Sequence, residues 1–123
     1  MPKKSENAIE YHKNGYSCSA AVLSAFAEEA GMSADEAMTA ARPYAGGRMV
    51  TCGAVLAACH VLKARYGEKE GAEKAAELER RFTEMNSTVN CRELKGAGTG
   101  KVLRSCRGCV TDAAQILEEL LEG

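Results

Sequence analysis

Tryptophan is absent from this chain, and only two phenylalanines and two prolines occur among its 123 residues. Strands draw on aromatic and β-branched side chains, so a sheet-based fold lacks its usual material. The apolar fraction, 46%, comes mostly from Ala, Leu, Val and Met, which favours helices. An excess of either charge is also missing: 16 basic residues stand against 17 acidic ones, for a formal net charge of −1. Nothing concentrates the positive field that nucleic acid or an anionic membrane requires, and the basic groups at Pro2 to Lys4 and Lys101 to Arg107 are too small to change that. No apolar run approaches the length of a membrane span, and the opening MPKKSENAIEYHKNG lacks the apolar segment of a secretory signal. The expectations are no nucleic-acid partner, no membrane and a cytoplasmic location. In that location the sequon Asn86-Ser87-Thr88 is a chance match.

The length suits one domain, residues 1–123, with a single core. Turn signals fall at Asn14-Gly15, Gly31, Arg42 to Gly47, Gly67 to Gly71, Asn86 to Asn90 and Gly96 to Gly100. Helical stretches lie between them. Ser5 to Lys13 offers Ala8, Ile9, Tyr11 and His12 as a buried face. Cys18 to Ala30 repeats Val22, Leu23, Phe26 and Ala30 at helical spacing, with Gly31 as terminator. Ser33-Ala34-Asp35-Glu36 reads as a capping box opening a helix that Pro43 stops near Arg42. Cys52 to Tyr66 carries the stripe Cys52, Val55, Cys59, Leu62, Tyr66. Gly71 to Met85 carries Ala75, Leu78, Phe82 and Met85, with Glu77 and Arg81 spaced to pair across a turn. The last helix, Cys106 to about Leu121, has the stripe Cys106, Val110, Ala113, Leu117, Leu120. Its acidic end, Glu118, Glu119 and Glu122, opposes the helix dipole and predicts fraying. The fold expected is all-α, an antiparallel bundle of about five to six helices with no sheet.

Six cysteines in a reducing compartment point to catalysis, redox sensing or metal binding more than to structural disulfides, although buried cysteine can also be simple packing. Four of them follow a preferred N-cap residue: Ser17-Cys18, Thr51-Cys52, Asn90-Cys91 and Ser105-Cys106. Glu93 completes a capping pattern with Asn90. Each sulfur is thus predicted in a first helical turn, where unpaired amides and the helix dipole favour thiolate, the form that attacks disulfides and binds metals. Arg92, Arg104 and Arg107 would add to that bias if they turned toward the sulfurs, but such charges are more often solvated.

Cys59 sits mid-helix and is predicted to pack in an interface. It cannot bridge Cys52, because seven residues of helix separate them by about 10 Å. Cys106-Arg107-Gly108-Cys109 is a CxxC at a helix start, the arrangement that lowers the first thiol's pKa in disulfide oxidoreductases. A thioredoxin-like fold would need a strand before it, and Gly96 to Gly100 is none. Cys109 is the nearest resolving partner for Cys106, which makes Cys106 the first choice as attacking thiol. Gly100-Lys101 fails as a phosphate-binding loop, since Lys95 stands where the earlier glycine belongs and Val102 where Ser or Thr is required. His60 and His12 read as packing or surface residues rather than metal ligands.

Four segments carry a resemblance. They are Gly15 to Leu23, Cys52-Gly53-Ala54-Val55-Leu56, Asn90-Cys91-Arg92-Glu93-Leu94 and Cys106-Arg107-Gly108-Cys109-Val110. With these the chain resembles the C_GCAxxG_C_C family of redox-active proteins over nearly its whole length. The family's four cysteines fall on Cys18, Cys52, Cys91 and Cys106, the same four that follow N-cap residues. Ala57 departs from the motif's closing glycine, and Cys59 and Cys109 look like additions. The resemblance implies redox activity on a small helical fold.

The leading expectation is a dithiol and disulfide couple among Cys18, Cys52, Cys91, Cys106 and Cys109, exchanging electrons with a donor or acceptor that the sequence does not identify. The alternative makes Cys18, Cys52, Cys91 and Cys106 ligands of Zn²⁺ or an iron–sulfur cluster, although structural zinc sites usually have two close ligand pairs and only one CxxC is present. In either case the four sulfurs are expected to gather at one site. A homodimer is compatible with the sequence.

Overall fold

The structure, a computed structural model, describes residues 4–44, 51–86, 88, 89, 94 and 106–122. Among these are five α-helices and no strand: α1 (Lys4–Lys13), α2 (Cys18–Ala25), α3 (Ala34–Ala41), α4 (Gly53–Asn86) and α5 (Cys106–Glu122), with a 3₁₀ turn over Arg42–Tyr44. The expected all-α bundle is therefore present. No helix among the described residues is long and apolar enough to cross a membrane.

The α4 span holds the two helical segments read from the sequence. Gly67, at φ 87° and ψ 179°, breaks the helix, and the two arms fold back on each other. Cys59 Sγ lies 3.9 Å from both the Ala75 carbonyl and Glu79 Oε1, and Lys74 Nζ sits 4.7 Å from the centre of the Tyr66 ring. Backbones meet at Gly71, where an added Cβ would lie 2.5 Å from Lys63 Cα and 2.9 Å from the Leu62 carbonyl oxygen. Contact this close needs a residue without a side chain.

Cross-ties set the antiparallel arrangement. Glu118 of α5 accepts from the Ser5 amide and hydroxyl at 3.3 Å, and at the other end of the same pair Arg107 Nε donates to His12 Nδ1 at 3.5 Å. Asn86 Nδ2 donates to Asp112 Oδ2 at 3.1 Å, and Arg81 reaches Glu119 at 3.6 Å, pairing α5 with the second arm of α4. These contacts correct the expectation of fraying. Glu118 meets the positive N-terminal end of α1, Glu119 meets Arg81, and α5 continues to Glu122. Glu77 bonds both Arg80 and Arg81, as its spacing predicts for Arg81, and the two guanidiniums, Arg80 first, hold its carboxyl down at about 2.

At the centre, α2 is buried nearly all round. Ser19, Ala20, Ala21, Val22, Leu23 and Ala25 are all covered, and α1, α3, α4 and α5 each pack against it. A helix apolar on every side belongs inside a domain, and small residues let four neighbours approach. Its end differs from the expected Ala30. Regular helix stops at Ala25 because Phe26 opens to φ −110°, ψ 18°. One further turn then closes at Gly31, φ 70°, with Met32 donating to the Ala27 carbonyl and Gly31 to that of Glu28. That pair of bonds is the glycine C-cap predicted at this position. The capping box of α3 is complete: Glu36 N donates to Ser33 Oγ at 3.2 Å and Ser33 N to Glu36 Oε1 at 2.9 Å.

Apolar stripes are buried as read, with Val55, Leu62, Leu78, Phe82, Val110, Ala113 and Leu117 in one core. Ala30 and Tyr66 are half-buried at its margin, and Met85 is 56% exposed, while Asn86 is buried in its stead. Asp112 supplies the hydrogen bond that lets the amide replace the thioether at the end of this face.

Replacing Gly71 with Ala is expected to destabilise the protein by about 1–3 kcal/mol in urea denaturation, because overpacking against backbone outweighs the roughly 1 kcal/mol that Ala gains in helix propensity. A stabilised variant would show that the arms separate freely.

Candidate functional site

Two of the helix-start cysteines lie where α2 and α4 begin. Ser17, at φ −63° and ψ 164°, caps α2, its Oγ accepting from Ala20 N at 3.2 Å, so Cys18 is the first residue of that helix as predicted. Cys52 is one position earlier than expected. Its carbonyl accepts the first helical bond of α4, from Leu56 N at 3.0 Å, and the helix starts at Gly53. Cys52 is thus itself the N-cap residue, and Thr51 stands before the cap. Its own amide donates to the Val89 carbonyl at 2.7 Å, which ties the stretch after α4 back to the start of that helix.

Gly53 brings the two starts together. The Cys18 sulfur lies 2.8 Å, and the Tyr44 carbonyl oxygen 2.5 Å, from the point that a Gly53 Cβ would occupy. Cys18 is half-buried, while Cys52 is 4% exposed. Two helix N-termini then face one space, each carrying partial positive charge, and a thiolate there offsets a repulsion between like dipole ends.

Of the remaining predicted site residues, Cys91 with its cap Asn90 and Glu93 lies outside the described residues, as do Arg92, Arg104 and Ser105. The backbone of Cys106 begins α5, while its side chain is likewise outside them. The structure thus brings Cys18 to the Cys52 helix start. Cys109 is 3% exposed in the second turn of α5. Arg107 is exposed and its Nε is directed at His12, so it is engaged there. Burial, and then the Arg107 charge, lower the His12 pKa.

Cys59 has the interior place its spacing predicts, 7% exposed between the arms of α4. Burial first, and the Glu79 carboxylate second, push its thiol up to about 12. It is a packing residue with little thiolate at neutral pH. No group of three His, Cys, Asp or Glu side chains suited to a metal ion occurs among the described residues.

Three participants are not legible as such. Gly53 stands within the quoted Cys52-Gly53-Ala54 motif, but nothing in its spacing tells which atoms approach it. Tyr44 and His60 are distant in sequence, and their contact, 3.1 Å between Tyr44 Oη and His60 Nδ1, has no sequence signal.

A family model described as "Putative redox-active protein (C_GCAxxG_C_C)" matches residues 16–120. No curated protein and no solved structure matches the chain.

Substituting Gly53 with Ala is expected to cost about 1–3 kcal/mol and to raise the accessibility of Cys18 to alkylation, since the new methyl must displace sulfur or carbonyl. Unchanged stability and labelling would contradict the close approach. Cys59→Ala should lower stability modestly at pH 7 and leave alkylation of the other thiols intact. At high pH the difference narrows. The Cys59 thiol ionises near 9 when unfolded but near 12 when folded, so its stabilising contribution is complete below pH 9 and is lost as pH rises toward 12. The wild type should therefore lose stability faster than Cys59→Ala across that window. Parallel curves would refute the burial argument.

Proposed function

Because the chain belongs to the C_GCAxxG_C_C family of redox-active proteins, we propose that Cys18 and Cys52 work as a dithiol–disulfide couple, with Cys91 and Cys106 as its further family cysteines. The observation that carries this reading is the Cys18 sulfur at the start of α4, 2.8 Å from the position of a Gly53 Cβ and one residue from Cys52. Cys18 is the more accessible of the two, which suits it to attack, and buried Cys52 suits resolution. The sequence favours Cys106 for attack, a role its place at the start of α5 also allows.

In the reducing direction the Cys18 thiolate attacks one sulfur of a partner disulfide. The partner S–S bond breaks, a mixed disulfide forms, and the second partner sulfur leaves as thiolate and takes a proton. Cys52 then attacks the Cys18 sulfur, expelling the first partner sulfur, which is also protonated. Two electrons and two protons reach the partner, and the protein is left with an internal disulfide. A dithiol donor resets it by the reverse sequence. The paired positive helix ends lower the cost of each thiolate.

The same electrostatics suits a second reading, in which Cys18, Cys52, Cys91 and Cys106 are thiolate ligands of Zn²⁺ or an iron–sulfur cluster.

Thiol counting with peptide mapping, before and after mild oxidation, separates the two. Loss of a pair of thiols that includes Cys18, reversed by a dithiol and abolished by Cys18→Ser, is the expected result. Oxidation that leaves Cys18 as a thiol overturns the couple. Stoichiometric zinc or iron in freshly purified protein, lost in the same variant, favours the ligand reading instead.

A further inference from the structure

Tyr44 touches the thiol site with its backbone and α4 with its side chain. Its carbonyl oxygen and the Cys18 sulfur occupy the same small space over Gly53, at 2.5 and 2.8 Å from one common point. Its hydroxyl shares a hydrogen bond of 3.1 Å with His60 Nδ1, and the two rings stand edge to face with centroids 6.0 Å apart. The chain before Tyr44 is held as well: Pro43 fixes a backbone angle within the 3₁₀ turn, and Ser19 Oγ of α2 donates to the Ala41 carbonyl at 2.9 Å. Tyr44 is therefore anchored upstream by α2 and through its ring by His60, two turns along α4 from Gly53.

A carbonyl oxygen beside a sulfur opposes its ionisation, since its partial negative charge repels thiolate and its lone pairs accept from the S–H group. The helix starts act in the other direction. Reactivity at Cys18 then depends on how closely the Tyr44 carbonyl is held, and among the described residues the Tyr44 side chain is tied by its hydrogen bond to His60. We propose that Tyr44 and His60 form a positioning pair for the thiol site, with the His60 bond holding the Tyr44 carbonyl against Cys18 and so restraining thiolate formation there. This rests on the reading of Cys18 as a working thiol. The pair borders an open cleft also lined by Leu56, Cys59, Lys63 and Glu68, so the titratable groups around His60 are Tyr44, Cys59, Lys63 and Glu68.

The test is the alkylation rate of Cys18 against pH in the full chain, read by peptide mapping, for wild type, Tyr44→Phe, His60→Leu and His60→Asn. Phe keeps the ring and removes the hydroxyl, and Asn keeps an acceptor near the position of Nδ1. Tyr44→Phe and His60→Leu are expected to speed alkylation near neutral pH by about threefold and to move the profile to lower pH, while His60→Asn stays near wild type. Labelling of buried Cys59 serves as the internal control for general loosening and should not change. Wild-type profiles in both Tyr44→Phe and His60→Leu overturn the proposal, as does an equal rise at Cys59. If His60→Leu fails to fold, Tyr44→Phe alone decides. Failure of the redox couple is distinguishable, because it is seen as absent oxidation of Cys18 with the alkylation shift retained.

Discussion

At Gly53 the first turn of α4 is approached by a sulfur from α2 and a carbonyl from the 3₁₀ turn, each closer than any side chain would permit. The arrangement of the bundle near that point follows from this contact. For Cys18 to reach Gly53, the start of α2 must lie against the start of α4. For the Tyr44 carbonyl to do so, α3 must return its chain to the same place, which the Ser19 bond to Ala41 secures. Helix dipoles usually favour opposed ends, so two N-termini together are costly without negative charge between them. Sulfur able to ionise is a suitable occupant of that space.

The rest of the bundle satisfies the ordinary preference. Helix α5 runs antiparallel to α1 and to the second arm of α4, and its acidic end lies beside the amide start of α1. Exposed pairs such as Arg81 with Glu119 contribute little to stability, since solvent screens them. The buried Asn86–Asp112 bond has more influence on register, because a one-turn slip would leave both polar groups without this partner in an apolar setting. Three residues beyond Asn86, the Val89 carbonyl takes the Cys52 amide, so the α4–α5 register also bears on the thiol site.

Location separates the cysteines chemically. Cys59 lies mid-helix with a carboxylate beside it, and its thiol is held neutral to about 12. Cys18 stands at a capped helix start, half-buried, with the positive end of α4 adjacent. One residue type thus serves as packing in one place and as a candidate nucleophile in the other, and the difference comes from backbone dipoles and solvent access.

Local physics made much of this legible in advance. Ser33 and Glu36 cap α3, Gly31 closes the chain after α2, Glu77 meets Arg81, and the stripes of Val55, Leu62, Leu78, Phe82 and Leu117 are buried, because each depends on spacing within one helix. The caps at Ser17 and near Cys52 were likewise readable, within one residue at Cys52. Contacts between segments were not. That Met85 would be exposed and Asn86 buried depended on Asp112, twenty-six residues away, and the use of Glu118 depended on Ser5 at the far end of the chain. Gly53 was visible as a motif glycine, but the atoms that fill its space come from α2 and the 3₁₀ turn, and Tyr44 meets His60 only once those elements pack. Helix periodicity and capping are short-range, so the sequence by itself determined the described helices and that Cys18 and Cys106 begin two of them. Which helix starts face one another was decided by backbone close approach in the tertiary structure, where a missing Cβ and a distant hydrogen-bond partner count for more than any local preference.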